Sequence, residues 1–209
     1  MFKKYLIIFY TILFSLSYLV AEIKIFPTDG SEDDRFGQSV LIADDWIFVG
    51  ANRDHTNNVN SGSVYIYNYD QNMNIVLFEK IIPSDYSSDQ FFGKSLSYDD
   101  NWLAVSSIYD EDNGIKSGAV YLYHFNGASW IEHSKITAFD GSSFDRFGYS
   151  IDINSNKLII GSIYDDDRGE NSGAAYLYEF QNDNWDLIDK ICPEHLSSMD
   201  LFGYSVSLN

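Results

Sequence analysis

Two short acidic segments in this chain have the residue types and spacing of a loop for a hard cation. Asp110-x-Asp112-x-Gly114 and Asp165-x-Asp167-x-Gly169 each offer carboxylates at i and i+2, with a glycine that permits a sharp turn. Calcium is the candidate cation, with Asp110, Asp112, Asp165 and Asp167 as its candidate ligands. Neither segment is an EF-hand, because no side-chain ligand stands at i+4 and no glutamate closes the loop. The competing reading is that these carboxylates cap their own turns through side-chain to backbone bonds. Related acids recur in register. Asp54, Asp110 and Asp165 each lie eight residues before a Ser-Gly glycine, and Asp29, Asp85 and Asp140 each lie seven before a phenylalanine, with His195 in the fourth such slot.

No arrangement for catalysis stands out. The sequence has no His-Glu-x-x-His, no Gly-x-Ser-x-Gly elbow and no phosphate-cradling glycine loop. His55, His124, His133 and His195 fall at unrelated positions. Carboxylates facing one another across a rim could in principle perform glycoside hydrolysis. A catalytic pair should break the repeat with a residue special to one unit, whereas the acidic positions here mostly recur. The expectation is a chain without catalytic residues and with no cofactor other than the candidate calcium.

The elements that must position these acids follow from the repeat. Phe-Gly-x-Ser occurs at Phe36, Phe92, Phe147 and Phe202, at steps of 56, 55 and 55 residues. Lys24, Lys80, Lys135 and Lys190 keep the same step. So do the pairs Tyr65/Tyr67, Tyr121/Tyr123 and Tyr176/Tyr178 that follow each Ser-Gly. Several anchors in register at one long period signal a repeat architecture. Within a unit the pattern reads as four strands. In the second they are Phe92–Tyr98, Trp102–Ser106, Ala119–Phe125 and Trp130–Ile136. The first unit gives Phe36–Ile42, Trp46–Ala51, Ser63–Tyr69 and Ile75–Ile81, and the third Phe147–Ile153, Lys157–Ser162, Ala174–Phe180 and Trp185–Ile191. Four short antiparallel strands at a fixed period are the pattern of propeller blades. Both faces of the third strand are apolar: Val120 and Leu122 point one way and Tyr121 and Tyr123 the other, as a blade packed between two neighbours requires. The glycine after each phenylalanine is read as a site of close backbone approach near the axis. The repeated tyrosines are read as interblade packing rather than sugar-stacking platforms.

In this plan the loops between the second and third strands emerge on the same rim as the connections between blades. That rim gathers Asp54, Asp110-Glu111-Asp112, Asp165-Asp166-Asp167 and Glu170 with Asp29, Glu32, Asp33, Asp34, Asp85, Asp89, Asp140 and Asp145.

The combination of Phe-Gly-x-Ser, an apolar strand, an acidic loop and Ser-Gly-x-x-Tyr-x-Tyr resembles FG-GAP repeats, the blades of the integrin α-subunit propeller and of many exported bacterial proteins. The Gly-Ala-Pro half is degraded to Gly50-Ala51-Asn52, Ser106-Ser107-Ile108 and Gly161-Ser162-Ile163. The resemblance implies a β-propeller used for adhesion or ligand binding, without enzymatic activity. It departs from the integrin type at the calcium loop, which in integrins lies between the first two strands. Here that place holds only Asp44-Asp45, Asp99-Asp100 and Asn154-Ser155-Asn156.

The expected fold class is all-β, with three complete blades of four antiparallel strands and the start of a fourth. Residues 1–21 are assigned as a signal peptide and 22–209 as the repeat region, with units at about 24–79, 80–134, 135–189 and an incomplete 190–209. Lys3-Lys4 followed by an apolar stretch from Tyr5 to Val20 carries the signal assignment, with an uncleaved membrane anchor as its alternative. Glu22–Phe26 is expected as a strand that completes another blade. An open array would leave apolar faces in water, so either a fragment of a longer protein or self-association is expected.

A net charge of −18 disfavours nucleic acid and anionic membrane surfaces as partners. The body of the chain is expected to be exported and not membrane-embedded. The lone Cys192 rules out an internal disulfide framework and reads as a small buried hydrophobe. The expected role is an exported, non-catalytic binding or adhesion module. Its ligand, an extracellular protein or glycan, would be engaged by the acidic rim. The alternative is a propeller domain of a carbohydrate-active enzyme or its accessory module.

Overall fold

The computed structural model describes residues 23–209 apart from 57, 58 and 73. Fourteen strands account for its regular structure, and no helix is present among the described residues. The first blade is β1 (Phe36–Ala43), β2 (Trp46–Ala51), β5 (Ser63–Tyr69) and β6 (Ile75–Ile81). A small ribbon, β3 (His55–Thr56) and β4 (Val59–Asn60), sits in its long loop. The second blade is β7 (Phe92–Asp99), β8 (Trp102–Ser107), β9 (Ala119–Phe125) and β10 (Trp130–Ile136). The third is β11 (Phe147–Asn154), β12 (Lys157–Ser162), β13 (Ala174–Gln181) and β14 (Asn184–Ile191). Each blade is a four-stranded antiparallel sheet in sequence order. The strand limits match those read from the alternation to within one residue. The architecture is all-β and blade-like, and the sheets do not close on one another.

Adjacent blades meet through their first strands, with β7 packed on β1 and β2 and β11 on β7 and β8. Two cores lie between blades. Tyr121, Tyr123, Leu103 and Val105 face the first blade, where they join Phe48, Val64 and Ile66. Val120, Leu122 and Ala104 face the third, where they join Ile151, Leu158, Ile160 and Tyr176. The alternate residues of β9 therefore serve different cores, as the apolar character of both its faces requires.

The Phe-Gly phrase is a β-bulge. Register shifts occur after Phe36, Phe92 and Phe147, and the following glycines have φ between 86° and 91°. Positive φ is the first reason for glycine at this position. Close approach is a second reason and holds only where another blade is present. A Cβ on Gly93 would lie 2.7 Å from the Ser63 carbonyl oxygen, whereas one on Gly37 would meet nothing within 4 Å. Tighter contacts than that of Gly93 fall on Gly50 and Gly161, where a Cβ would overlap the carbonyl oxygens of Gly93 and Gly203.

Two expectations are corrected. Residues 23–26 form no strand, so the predicted N-terminal strand is absent over its described part. Phe202 makes an isolated bridge to Gly173, but residues 203–209 form no strand because no second strand pairs with them. Cys192 is half-buried against the core between the second and third blades. The segment assigned as a signal peptide lies outside the described residues. No helix among the described residues is long and apolar enough to cross a membrane.

Candidate functional site

The loops between the second and third strands and the connections between blades do share a rim, and their aspartates meet there in pairs. Each pair is held by a tyrosine and a lysine of its own blade. In the second blade Tyr121 Oη lies 2.7 Å from Asp85 Oδ1 and 3.1 Å from Asp110 Oδ2, so one proton is shared between two carboxylates. Lys135 Nζ donates to Asp85 at 2.7 Å, Asp110 at 2.8 Å and Asp112 at 2.7 Å. The third blade repeats this geometry. Tyr176 Oη is 2.9 Å from both Asp140 and Asp165, and Lys190 Nζ lies 2.7 Å from Asp140, Asp165 and Asp167. In the first blade Tyr65 bridges Asp29 and Asp54, and Lys80 contacts both at 2.7 and 3.0 Å. In sequence the residue two after Asp54 is Thr56, so the first blade has no counterpart of Asp112 and Asp167.

The local sequence explains the assembly. The tyrosine is the first of each Tyr-x-Tyr pair, and its ring is fully buried with the Phe-Gly phenylalanine packed edge-on against it at 5.1 to 5.4 Å. Its hydroxyl is thereby delivered at the rim. The lysine stands next to the last residue of the fourth strand. Its stem crosses the tyrosine, with Nζ 4.7 to 5.2 Å from the ring centroid. Backbone bonds fix the acidic loops, since Asp112 N donates to Asp110 Oδ1 and Asp167 N to Asp165 Oδ1, each at 3.1 Å. Turn capping and cage formation thus use different oxygens of one carboxylate.

The electrostatics follow from crowding. Burial opposes the charge on Lys135 and Lys190, but hydrogen bonds to three carboxylates outweigh it and raise both above the ordinary lysine value. Lys80 is raised in the same way by two. Burial also favours the neutral acid at Asp85, yet the bonds from Lys135 and Tyr121 hold it below the usual carboxylate value. Tyr121 and Tyr176 are pushed far above the ordinary phenol value, first by burial and then by the paired carboxylates. Asp110 has no exposed surface and Asp165 is 3% exposed, so each is a buried charge that requires its partners.

The candidate ligands Asp110 and Asp112 are therefore together, joined by Asp85, and Asp165 and Asp167 are joined by Asp140. The oxygens of each triad lie within 4.8 Å of one another, so each could hold a metal ion. The centre of each triad also receives a lysine ammonium. Sequence reasoning singled out the carboxylates and missed Lys135 and Lys190. The signal was present, because these lysines keep the repeat period as strictly as the aspartates do.

Three further acids of the connections that follow or precede blades are turn caps. Asp34, Asp145 and Asp200 each accept the backbone N–H of the residue three before, and Gln90 does the same for Ser87 in the second blade.

The family model for the FG-GAP repeat matches residues 20–67, 76–123 and 130–178. The chain belongs to the FG-GAP repeat family. Each matched span ends at or beside its Tyr-x-Tyr pair, so the cage tyrosines lie inside the FG-GAP units. No curated protein matches the chain. Among solved structures the chain is similar to a europium-containing methanol dehydrogenase, at 12% identity and a TM-score of 0.43. The match covers 70% of this FG-GAP chain and 23% of that protein.

Proposed function

We propose that this chain is an exported, non-catalytic binding module of adhesion type, engaging an extracellular protein or glycan through the loops of its rim. The observation that carries the reading is the occupation of the rim carboxylates. In all three blades the repeated aspartate pair is tied to a lysine and a tyrosine. A general acid or base must instead be held near the operating pH and within reach of substrate. Asp145 is a rim acid pushed up, to about 6 and chiefly by burial, yet it is 4% exposed and caps Ser142 as Gln90 caps Ser87. Its place in the repeat is that of a turn residue. Export is supported by the FG-GAP family, whose repeats are typical of extracellular domains, and by the basic and apolar N-terminal sequence. Retention of the purified chain on an array of extracellular proteins and glycans, without turnover of any glycan, is the expected result. Hydrolysis of an arrayed polysaccharide would instead support the carbohydrate-active alternative.

Calcium support is a second reading, favoured by three carboxylates facing one ammonium in the second and third blades. Calcium and the ammonium would compete for the same oxygens. On this reading, calorimetric titration of calcium into chelator-stripped protein gives binding heat in the native chain, weakened by that competition, and no heat at millimolar calcium would end it. Lys135→Ala and Lys190→Ala should each gain a calcium-dependent rise in Tm. Millimolar calcium that raises the native Tm would establish calcium support directly.

A further inference from the structure

A cleft of about 380 Å³ opens between the first and second blades, apart from the carboxylate cages. Its wall is a stacked pair, Phe91 on Tyr109, with ring centroids 4.4 Å apart. The Arg53 guanidinium lies 5.2 Å from the Phe91 centroid and Lys116 Nζ 4.6 Å from that of Tyr109. A ligand here therefore meets cationic groups lying on the rings. Asp89 and Glu111 also line the cleft, so its charged side chains balance within a strongly acidic protein.

Two further observations point to a ligand. Arg53 Nε is a buried donor with no acceptor, and Asn60 Oδ1 is a buried acceptor with no donor, among the described residues. Both residues line this cleft, where Asn60 is oriented by its Nδ2 bond to Asp89 at 2.7 Å. The cleft also departs from the repeat, unlike the cages. Between the second and third blades the slots of Arg53, Asp89 and Phe91 are taken by Tyr109, Phe144 and Arg146. Packing residues recur in every unit, while a ligand site needs to occur only once.

We propose that this cleft binds a neutral saccharide. Each sugar hydroxyl is both donor and acceptor, so neighbouring hydroxyls answer an orphaned donor and an orphaned acceptor together. Charge balance disfavours an acidic sugar beside Asp89 and Glu111 in a chain of net charge −18. The volume falls in the range of small-ligand sites. This inference rests on the binding-module reading and names its ligand class and place.

The test is a glycan array probed with the full chain, followed by calorimetry with the best neutral oligosaccharide and with a uronic-acid counterpart. Arg53→Gln and Asn60→Ala should each weaken neutral-glycan binding by about tenfold or more. Asn171→Ala, at the slot equivalent to Asn60, should leave it unchanged. Melting curves identify any variant that fails to fold. Hydrogen exchange on the unaltered chain should then show glycan protection over residues 53–60 and 88–91. Binding that ignores Arg53 and Asn60 and protects other segments would overturn the site and leave the binding-module reading standing. Preference for the uronic acid would overturn the ligand class. Retention of protein ligands only would overturn the proposal, and retention of nothing on either array would overturn both readings.

Discussion

Lys135 holds three carboxylates, one of them with no exposed surface, and its loss should be felt as a buried charge left uncompensated. Lys135→Ala is expected to cost about 3–5 kcal/mol in urea unfolding. Tyr121→Phe removes one shared proton from the same site and should cost about 1–2 kcal/mol. Asp145 behaves in the opposite sense, because burial makes its charge unfavourable in the folded state. Asp145→Asn keeps an acceptor for the Ser142 N–H, as Gln90 does for Ser87, and removes the charge. It should stabilise the chain at neutral pH by something on the order of 1 kcal/mol after allowance for solvent screening.

The blade is the element in which one sequence phrase acquires different energetics. Gly37 and Gly93 occupy the same bulge with the same backbone angle, but only Gly93 has another blade against it. Gly37→Ala should cost about 1–2 kcal/mol from the left-handed backbone alone. Gly93→Ala adds a clash with the Ser63 carbonyl and should cost clearly more, as the two denaturation midpoints would show. The strands themselves were legible because alternation is local, with each residue's face fixed by its neighbours two positions away. The bulge was not, since Phe-Gly-x-Ser reads as plain alternation until the pairing partners Ala51, Ser107 and Ser162 reveal the shift.

Across the whole molecule, the folded-state proton balance sets the stability window. Bonds from lysine and tyrosine hold Asp29 and Asp85 below 3.8, so their contribution is present above that pH and is lost as pH falls through the lowered values. Lys80, Lys135 and Lys190 are raised, so theirs is complete below 10.5 and is lost at higher pH. Asp145 makes stability decline modestly as pH rises from 3.8 to about 6. Tm measured against pH should therefore show a plateau from about 6 to 10, a slight rise toward 4 and losses beyond both ends. The outer face of the first blade should also drive association. Val40 and Ile42 are 60% and 62% exposed, whereas their counterparts Ile151 and Ile153 are buried against the second blade. Sedimentation should show concentration-dependent association that a Val40→Lys, Ile42→Lys double variant reduces.

The sequence by itself determined the period, the strands, the faces that each strand buries and the rim on which the acids gather. These depend on alternation and on repeats in register, which a linear chain displays openly. Tertiary structure alone decided what the acids do. Asp85, Asp110 and Lys135 are separated by successive steps of 25 residues and lie on three different segments, so the linear sequence shows that they recur together but not that they meet. Folding the blade brings the ammonium of its last strand over the buried ring of Tyr121, to the point where the acidic loop and the interblade connection converge. The cleft at Arg53 and Phe91 has the same origin, because its wall exists only where two blades meet.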